Sequence, residues 1–314
     1  MASAIVYTEF GSPDVLHLIE VPDPVAARGE VVVRIEAAGA NPIDAKMRSG
    51  KRPSPPITEP RPVGFDGAGV VEALGEGVDD FAVGDRVAIR DARGTYASAL
   101  ALSTENLAKL PDSVTTAEGA ALGIPAGTAY QSLRSLGVSG SDVLLVHGGS
   151  GAVGQAAVQF AVAWGATVVA TASPARHDQL RELDAIPVAY GDGLLDRVRE
   201  AAPSAVTVVL DCAGTDEAIE TSLALVADRE RIATIVRGPD AASFGIRAFS
   251  GGSPVPLTDQ ELAWRAEALP ETIALLSTGD FVVDLGPQLP LAEAAQAHEL
   301  MESGAASGKI ILLP

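Results

Sequence analysis

The stretch VLLVHGGSGAVG at residues 143–154 decides the fold of this 314-residue chain. A short apolar run stops at a cluster of glycines, and a helical pattern begins at Ala152. This order predicts a buried strand, a tight turn and a helix. Gly149, Gly151 and Gly154 have the spacing G-x-G-x-x-G, in which the first glycine allows the turn, the second lets the backbone approach a pyrophosphate and the third lets the helix pack closely on the strand. The stretch therefore predicts a dinucleotide site.

The N-terminus of the predicted helix offers free N–H groups and a partial positive charge to phosphates. A plain strand-to-helix turn is the alternative, since the chain contains 32 glycines. A second strand expected at residues 167–171 supplies the context that favours the dinucleotide. We therefore predict that the turn and the first helical turn hold the cofactor through Gly149, Ser150, Gly151, Ala152, Val153 and Gly154.

The chain is acidic, with 22 Lys and Arg residues against 41 Asp and Glu residues and a formal net charge of -19. This balance argues against nucleic acid and anionic membranes as partners. No signal peptide is visible at the start of the sequence, and no uninterrupted apolar segment is long enough to span a bilayer. Cys212 is the single cysteine, so an internal disulfide is excluded. Together these features predict a cytoplasmic protein.

Hydropathy patterns divide the chain into three segments. Residues 1–118 are predicted to be β-rich, because residues 30–37 alternate apolar and polar side chains. From residue 119 the pattern changes to strands alternating with helices, which predicts a doubly wound parallel sheet. The strands are expected at residues 143–147, 167–171, 187–190, 206–210 and 231–235, with helices at 175–183 and 194–201.

The last segment returns to mixed structure, with a helix predicted at residues 259–277, a strand at 281–284, a helix at 291–303 and a strand at 309–313. We therefore predict a nucleotide-binding domain at residues 119–257, inserted between the two parts of a β-rich domain, residues 1–118 and 258–314. Ligands of such sheets bind at the carboxyl ends of the strands, so the substrate cleft is expected there, facing the β-rich domain.

Short motifs along the whole chain resemble those of the medium-chain dehydrogenase/reductase superfamily, in its zinc-free quinone oxidoreductase branch. Besides the glycine turn they are AGANPID at 38–44, GFDGAGVV at 64–71, GDRV at 84–87, GTYA at 94–97, GTAY at 127–130 and GKIIL at 308–312. The resemblance implies an α/β protein with a GroES-like catalytic domain, a Rossmann domain with a doubly wound parallel sheet, and a homodimer.

A catalytic zinc is not expected. Zinc-dependent members of the superfamily carry a cysteine ligand where this chain has Ala40, Asn41 and Pro42. A catalytic zinc usually needs three protein ligands, and the four histidines have no ligand-like spacing: they are His17, His147, His177 and His298. We therefore predict no metal, and without a Lewis acid alcohol oxidation is not expected.

The residues after the second strand of the nucleotide domain predict NADPH as the cofactor. An acidic residue there binds the ribose 2′-OH of NAD, whereas a nearby arginine accepts the 2′-phosphate of NADP. Here Ser173 and Arg176 follow the strand, and the first carboxylate is Asp178. Ser173 can donate a hydrogen bond and Arg176 a charged fork to phosphate. The alternative is that Ser173 only caps a helix and Arg176 is solvated.

Asn41, Asp44 and Lys46 are the predicted catalytic residues. By the resemblance, the loop that carries Asn41 and Asp44 lines the substrate cleft, although Asn-Pro is also a simple turn signal. The family often has tyrosine where this chain has Lys46, so tyrosine-assisted proton delivery is not expected. Lys46 either pairs with Asp44 or an acidic surface, or donates a hydrogen bond to a reduced oxyanion.

The resemblance also assigns Thr128, Cys212, Val236 and Lys309 to cofactor binding. Cys212 has no basic neighbour that would lower its pKa, so it is interpreted as a small packing residue and not as a nucleophile. For Arg237 two interpretations stay open: it binds an anionic acceptor, or it is a solvated loop cation.

Two functions follow from these patterns. The first is an NADPH-dependent reductase that transfers hydride to a quinone or to an α,β-unsaturated carbonyl; the sequence does not separate these acceptors. The alternative is a nucleotide-binding redox sensor or structural protein without turnover, because a binding fingerprint does not by itself imply catalysis.

Overall fold

A computed structural model describes residues 1–249 and 255–314 of the protein. The chain divides into two compact units, one formed by Met1–Ile124 with Leu269–Pro314 and the other by Pro125–Ala268. The sequence placed these boundaries after residues 118 and 257. The segment expected at 119–257 includes residues 250–254, which lie outside the described residues.

The first part of the chain forms short strands and two small helices. In chain order these are β1 (Ala2–Tyr7), β2 (His17–Val21), β3 (Glu30–Gly39), α1 (Pro42–Arg48), β4 (Arg61–Pro62), β5 (Asp66–Leu74), β6 (Arg86–Ile89), β7 (Ala99–Ser103), β8 (Leu107–Lys109) and α2 (Thr116–Ala120). β3 buries Val31, Val33 and Ile35 in an apolar core. The β-rich character predicted for this segment is present.

The middle of the chain alternates strands and helices as predicted. The elements are α3 (Gly123–Ser135), β9 (Val143–His147), α4 (Ala152–Ala163), β10 (Thr167–Ala172), α5 (His177–Glu182), β11 (Ile186–Ala189), α6 (Leu194–Ala201), β12 (Val208–Asp211), α7 (Asp216–Leu225), β13 (Ile232–Thr234), α8 (Gly238–Phe244) and β14 (Arg247–Ala248). All five residues of β9 are buried, as expected for a central strand of a parallel sheet covered on both faces.

The six strands of this unit pair in parallel in the order β11-β10-β9-β12-β13-β14. The first strand of the unit thus lies at the centre, with its successors on one side and the later strands on the other. This is the dinucleotide-binding order, in which the topology reverses between β9 and β12. The predicted α/β doubly wound fold is confirmed, and the glycine turn follows β9 at this switch point.

The end of the chain contributes α9 (Asp259–Thr278), β15 (Leu285–Pro290), α10 (Ala294–Ser303) and β16 (Lys309–Leu313). β16 pairs antiparallel with β3, which in turn pairs with β5, in a sheet ordered β15-β16-β3-β5-β6-β8 with β7 also on β3. β1 forms a separate sheet with β2 and β4. Within the first unit, Gly39 pairs with both Asp66 and Ile311, so the ends of β3 and β5 and the strand β16 meet at one place.

The strand predicted at residues 281–284 is wrong, because the structure forms β15 immediately after it. β15 contains two prolines, Pro287 and Pro290, which a central strand would not accommodate. β15 is an edge strand, however, and a proline there does not remove a hydrogen bond that a neighbouring strand needs. Among the described residues, no helix has both the length and the apolar character needed to cross a bilayer.

Candidate active site

The Asn-Pro pair lies at the start of the helix α1. From the sequence it was predicted to be a cleft loop or a simple turn. Asn41 is the residue before the helix, Pro42 stands in its first turn, and the Asn41 backbone N–H donates to Asp44 Oδ2 at 2.8 Å. Proline at the first helical position and an acidic residue two positions later are ordinary N-terminal signals. The Asn41 side chain is not used as the cap, because it turns to other partners.

The Asn41 carboxamide is fixed on three sides. Its Nδ2 donates to the carbonyl oxygen of Gly39 at 3.1 Å and to Asp66 Oδ2 at 2.9 Å. Its Oδ1 accepts a hydrogen bond from Lys309 Nζ at 2.5 Å. Both amide hydrogens are engaged and only 1% of the residue is exposed. Asn41 therefore has no amide hydrogen left for an acceptor in this conformation, although the sequence predicts it as a catalytic residue.

Asp66 occupies the centre of this arrangement and was not predicted from the sequence. Its two carboxylate oxygens accept from the backbone N–H of Ile124 at 3.0 and 2.9 Å. Its Oδ2 also lies 3.7 Å from Lys309 Nζ, so the two side chains form a buried ion pair. The strand β5 delivers Asp66, and β16 delivers Lys309. We name Asn41, Asp66 and Lys309 the buried triad.

Asp44 lies next to the triad and binds a tyrosine. Tyr96 donates its hydroxyl to Asp44 Oδ2 at 3.2 Å and lies 3.3 Å from Nε2 of His298, so a line of three polar side chains runs through the interior. Neither Tyr96 nor His298 was predicted as a site residue. Lys46 on the same helix as Asp44 is half-buried. The proposed pairing between Lys46 and Asp44 is not observed, because the carboxylate contacts Asn41 and Tyr96 instead.

Burial shifts the pKa values of these groups. Desolvation raises the pKa of Asp44 to about 7, with a further rise from the charge of Asp66, while the Asn41 backbone N–H and Lys309 oppose it. Desolvation likewise raises the pKa of Asp66 to about 6, against the attraction of Lys309. The same burial lowers the pKa of Lys309 and lowers that of His298 to about 3. His298 is therefore neutral at pH 7 and lacks the second ring proton of the imidazolium form.

The glycine turn after β9 has close approaches at two of the predicted glycines, but its left-handed residue lies one position before the motif. The left-handed backbone conformation is at Gly148, with φ 73°, and not at Gly149. A Cβ atom on Gly149 would lie 2.7 Å from Cβ of Ala170 in the neighbouring strand. On Gly154 it would lie 2.2 Å from the carbonyl oxygen of Gly148. These two glycines let the turn and the helix pack closely.

Gly151 differs from its two neighbours in the motif because its surroundings are open. A Cβ atom there would meet only the Gly148 oxygen, at 3.6 Å. Gly151 and Ala152 are exposed, while Ser150 and Val153 are half-buried. Gly151 also begins α4 without a side-chain cap, so no cap occupies the N–H groups of the first helical turn. An uncapped helix N-terminus beside an open glycine is the backbone arrangement at which proteins bind phosphates.

The end of β10 contacts the glycine turn through Thr171, two residues before Ser173. The Thr171 hydroxyl accepts from the Gly148 N–H at 3.1 Å, and the Thr171 carbonyl accepts from the Gly149 N–H at 2.8 Å. Ser173 precedes a single turn of 3-10 helix, Pro174–Arg176, and makes no side-chain cap there. Both Ser173 and Arg176 are half-buried. Asp178, the first carboxylate after the strand, pairs with Arg181 at 2.5 Å.

The carboxyl end of β12 carries another predicted cofactor residue, Cys212. Asp211 is buried and accepts from the N–H of Ala213, the N–H of Gly214 and the hydroxyl of Thr234, at 2.7–2.9 Å. Cys212 follows it, and burial first and Asp211 second raise the pKa of its thiol. A raised thiol pKa makes a poor nucleophile. The interpretation of Cys212 as a packing residue fits this pKa.

Burial limits the chemistry of His147, and two ion pairs limit that of Arg237. Burial lowers the pKa of His147 to about 4, so it is neutral at pH 7 despite facing Asp211. Arg237 pairs with Asp216 and Asp240, each at 2.7 Å, and its guanidinium lies over the ring of Phe244. Neither open interpretation of Arg237 describes this arrangement, because its charge is matched by two carboxylates of its own unit.

Two further predicted residues, Thr128 and Val236, form hydrogen bonds within their unit. Thr128 in α3 is buried and accepts a hydrogen bond from Arg265 at 3.1 Å. The backbone N–H of Val236 is held by the hydroxyl of Thr234 at 3.1 Å. Arg265 was not predicted, since a single arginine in a helix carries no motif.

The described residues do not form a zinc site. No group of three or more His, Cys, Asp and Glu side chains in residues 1–249 and 255–314 is close enough to hold a metal. At the buried triad, the oxygens of Asn41 and Asp66 already face the ammonium group of Lys309, which is bound to Asn41 and paired with Asp66. A zinc ion does not fit there, because it would face a fixed positive charge.

Comparisons with known proteins agree with the motifs. Residues 27–131 match the family described as "Alcohol dehydrogenase GroES-like domain", and residues 183–312 match "Zinc-binding dehydrogenase". A quinone oxidoreductase of Sus scrofa is 31% identical, covering 100% of this chain and 98% of the relative. Quinone oxidoreductase 1 of Escherichia coli is 31% identical, and each chain is covered completely.

Solved structures show the same fold. The Escherichia coli quinone oxidoreductase, crystallised in complex with NADPH, has a TM-score of 0.83 and 28% identity to this chain. The match covers 99% of this chain and 100% of that one. The similarity thus extends over both units and not over the nucleotide-binding part alone.

Proposed function

Because this chain belongs to the quinone oxidoreductase family of the medium-chain dehydrogenase/reductase superfamily, we propose that it is an NADPH-dependent oxidoreductase. The proposed reaction transfers hydride to a quinone or to an α,β-unsaturated carbonyl. Both acceptors present an electron-poor carbon conjugated to a carbonyl group. The bound nucleotide supplies the hydride, and the protein supplies orientation, electrostatics and exclusion of competing reactions.

The observation that carries the proposal is the open backbone cradle at the switch point of the parallel sheet. Gly149 and Gly154 bring the turn and α4 together, and Gly151 leaves room beside the first N–H groups of the helix. In the proposal, Ser150, Gly151, Ala152 and Val153 bind the pyrophosphate through their backbone.

Selectivity for NADPH is assigned to Ser173 and Arg176. They follow β10 at the position where NAD-dependent relatives of this fold carry a ribose-binding acid. The carboxylate of Asp178 is paired with Arg181. A guanidinium and a hydroxyl suit a 2′-phosphate, which accepts hydrogen bonds and carries negative charge.

At the nicotinamide end, Thr128, Cys212, Val236 and Lys309 are proposed to contact the cofactor. Asn41, Asp44 and Lys46 are proposed to shape the acceptor site. Asn41 acts there by holding Lys309, since its own amide hydrogens are taken. No side chain is assigned as a proton donor: His147 and His298 are neutral at pH 7 because their pKa values lie near 4 and 3. A reduced quinone can take its protons from water.

Zinc has no part in the proposal. One matched family is described as a zinc-binding dehydrogenase, but the described residues contain no set of ligands for the ion. The residues do not fit the metal, and no step is derived through it. The enzyme is proposed to act in the cytoplasm, on the composition of the chain, and as a homodimer, as the resemblance implies. Light scattering on the purified protein tests its mass.

A second candidate is a nucleotide-binding redox sensor or structural protein without turnover. One observation favours it: Asn41 and Asp44 are only 1% and 2% exposed, so both side chains are buried. This candidate predicts NADPH binding without NADPH consumption.

Consumption of NADPH, followed at its near-ultraviolet absorbance, separates the two candidates. The purified protein is offered a series of quinones and a series of open-chain enones. Turnover with either series supports the oxidoreductase and identifies the acceptor class. Binding of NADPH, seen by fluorescence, with no turnover on any acceptor would support the sensor instead.

A further inference from the structure

We propose that Asp66 is a positioning residue for hydride transfer, which acts by holding Lys309 and Asn41 in the buried triad. The inference rests on the proposed function, because it assigns Asp66 a part in that reaction. Asp66 lies within the motif GFDGAGVV at 64–71, but that motif assigned it no role in the site, and the residue is fully buried. It works through its neighbours and does not touch the acceptor itself.

The hydrogen bonds of the triad leave it one arrangement. Asp66 takes one amide hydrogen of Asn41, and the Gly39 carbonyl takes the other. The oxygen of the Asn41 amide therefore has to face Lys309, which donates to it. Rotating the amide by half a turn would place its NH2 group against the ammonium and its oxygen against a carboxylate. Asp66 thus fixes the amide orientation, and the amide in turn fixes the ammonium.

The surrounding backbone is shaped to allow these contacts. A Cβ atom on Gly123 would lie 2.3 Å from Asp66 Oδ1, so a larger residue there would displace the carboxylate from the Ile124 N–H. A Cβ atom on Gly39 would lie 2.9 Å from Cε of Lys309 and 2.1 Å from the Ala120 carbonyl oxygen. Two glycines on different elements therefore give Asp66 and Lys309 access to the same point.

A purely structural role for the ion pair is the competing explanation. Burying two charges costs desolvation energy, and apolar residues of similar size often give equal or greater stability. Buried ionic groups are therefore weak evidence for stability. In the proposed reaction the acceptor gains negative charge as the hydride arrives, and a cation held in a fixed position stabilises that charge. The benefit depends on restraint of Lys309, which is the role we assign to Asp66.

Three variants separate the two roles. Asp66→Asn keeps the shape of the side chain but removes its charge. Asp66→Asn combined with Lys309→Gln removes both charges and leaves no unpaired ion. Asp142→Asn is the matched control, because Asp142 is also buried and is paired with Arg231 at 2.5 Å. It lies just before the start of β9, whereas the glycine turn follows the end of that strand. For each variant we measure the melting temperature, kcat, and KM for NADPH with a simple benzoquinone.

We expect Asp66→Asn to lower kcat at least about tenfold while KM for NADPH stays within about twofold, since misplacement of a catalytic group acts on the chemical step. It also lowers the melting temperature, because Lys309 is left buried without its partner. The double variant recovers the melting temperature but not kcat. Asp142→Asn lowers the melting temperature and leaves kcat unchanged.

Two results would overturn the inference. In the first, kcat returns together with stability in the double variant; in the second, Asp66→Asn behaves like the Asp142→Asn control. Either leaves the proposed function intact, because the wild-type enzyme turns over in both. A folded wild-type protein that consumes no NADPH with any acceptor would instead overturn the proposed function, and the inference with it.

Discussion

Two carboxylates of the first unit, Asp44 and Asp66, lie in the interior close to one ammonium group. Lys309 attracts both and contacts Asp66 and Asn41. Asp44 is left with one oxygen, Oδ1, that has no hydrogen-bond partner among the described residues. Incomplete compensation of this kind raises the pKa of a buried carboxyl group, because burial disfavours its charged form.

The raised pKa of Asp44 gives a prediction for stability. In the unfolded chain the group loses its proton near its ordinary pKa of 3.8, whereas in the folded protein it keeps the proton up to about pH 7. Between these values the folded state binds more protons, so the free energy of unfolding falls as pH rises. Asp44→Asn has no such proton to lose. We expect it to lose less stability between pH 5 and pH 8 than wild type does, by at least about 1 kcal/mol.

Urea unfolding at the two pH values measures this difference. Asp142→Asn serves as the control, because hydrogen bonds from Thr207, Ser139 and Arg231 outweigh desolvation and lower the pKa of Asp142. Its contribution is complete above its ordinary pKa, so the variant should shift stability equally at pH 5 and pH 8. Parallel pH dependences for wild type and Asp44→Asn would show that Asp44 keeps an ordinary pKa.

Arg176 gives the residue-scale prediction for cofactor choice. Arg176→Ala should raise KM for NADPH about tenfold or more, the usual loss for a charge-assisted hydrogen bond, and change KM for NADH little. Arg181→Ala is the matched control: its arginine is exposed and paired with Asp178, and both KM values should stay unchanged. Equal effects of Arg176→Ala on the two nucleotides would remove the 2′-phosphate role.

At the scale of the elements, two glycines in the turn between β9 and α4 have different expected roles, one in folding and the other in binding. Gly154→Ala places a Cβ atom 2.2 Å from a carbonyl oxygen, whereas Gly151→Ala meets no atom closer than 3.6 Å. We expect Gly154→Ala to lower the melting temperature by several degrees. Gly151→Ala should keep the wild-type melting temperature and weaken NADPH binding about tenfold or more, since its methyl group occupies the approach of the pyrophosphate.

Differential scanning calorimetry and fluorescence titration with NADPH measure the two effects. If Gly151→Ala bound NADPH as tightly as wild type, the pyrophosphate would have to lie elsewhere, and the proposed cradle would be wrong. The first helix of the chain, α1, differs from this turn: it starts at a proline, and its preceding asparagine bonds to β5 and β16 instead of capping the helix.

At the scale of the whole molecule, the central prediction is independence from zinc. No ligand set exists among the described residues, and the ammonium group of Lys309 occupies the buried triad. Elemental analysis of the purified protein should find zinc well below one atom per chain. Turnover should persist after treatment with a chelator. Stoichiometric zinc, with activity lost on its removal and restored on its return, would contradict the proposal.

Local patterns in the sequence determined the nucleotide-binding half. The apolar run at Val143–His147 and the glycines after it fall within a dozen residues, so strand, turn and helix can all be recognised from spacing. The doubly wound sheet follows from repetition of such units, and the structure confirms it. Motifs along the whole chain also predicted the family, which the full-length relatives bear out.

Where local patterns were weak, the sequence was less informative. The sequence placed a strand at residues 281–284, whereas the structure forms β15 at Leu285–Pro290. In the turn after β9, the left-handed residue is Gly148, since a glycine pair does not reveal which member takes that conformation. Tyr96 and His298 were not assigned to the site, because a lone tyrosine and a lone histidine usually belong to ordinary packing.

By itself the sequence determined the class of fold and the family, and it predicted the glycine cradle and site roles for Asn41, Asp44 and Lys309. Only the tertiary structure decided that both the nitrogen and the oxygen of the Asn41 carboxamide are hydrogen-bonded, and that Asp66 accepts one of these bonds. Asn41 is separated from Asp66 by 25 residues and from Lys309 by 268. Hydrogen bonds over such separations follow no periodic pattern, because they depend on how distant strands pair, and pairing is set by the packing of the whole unit.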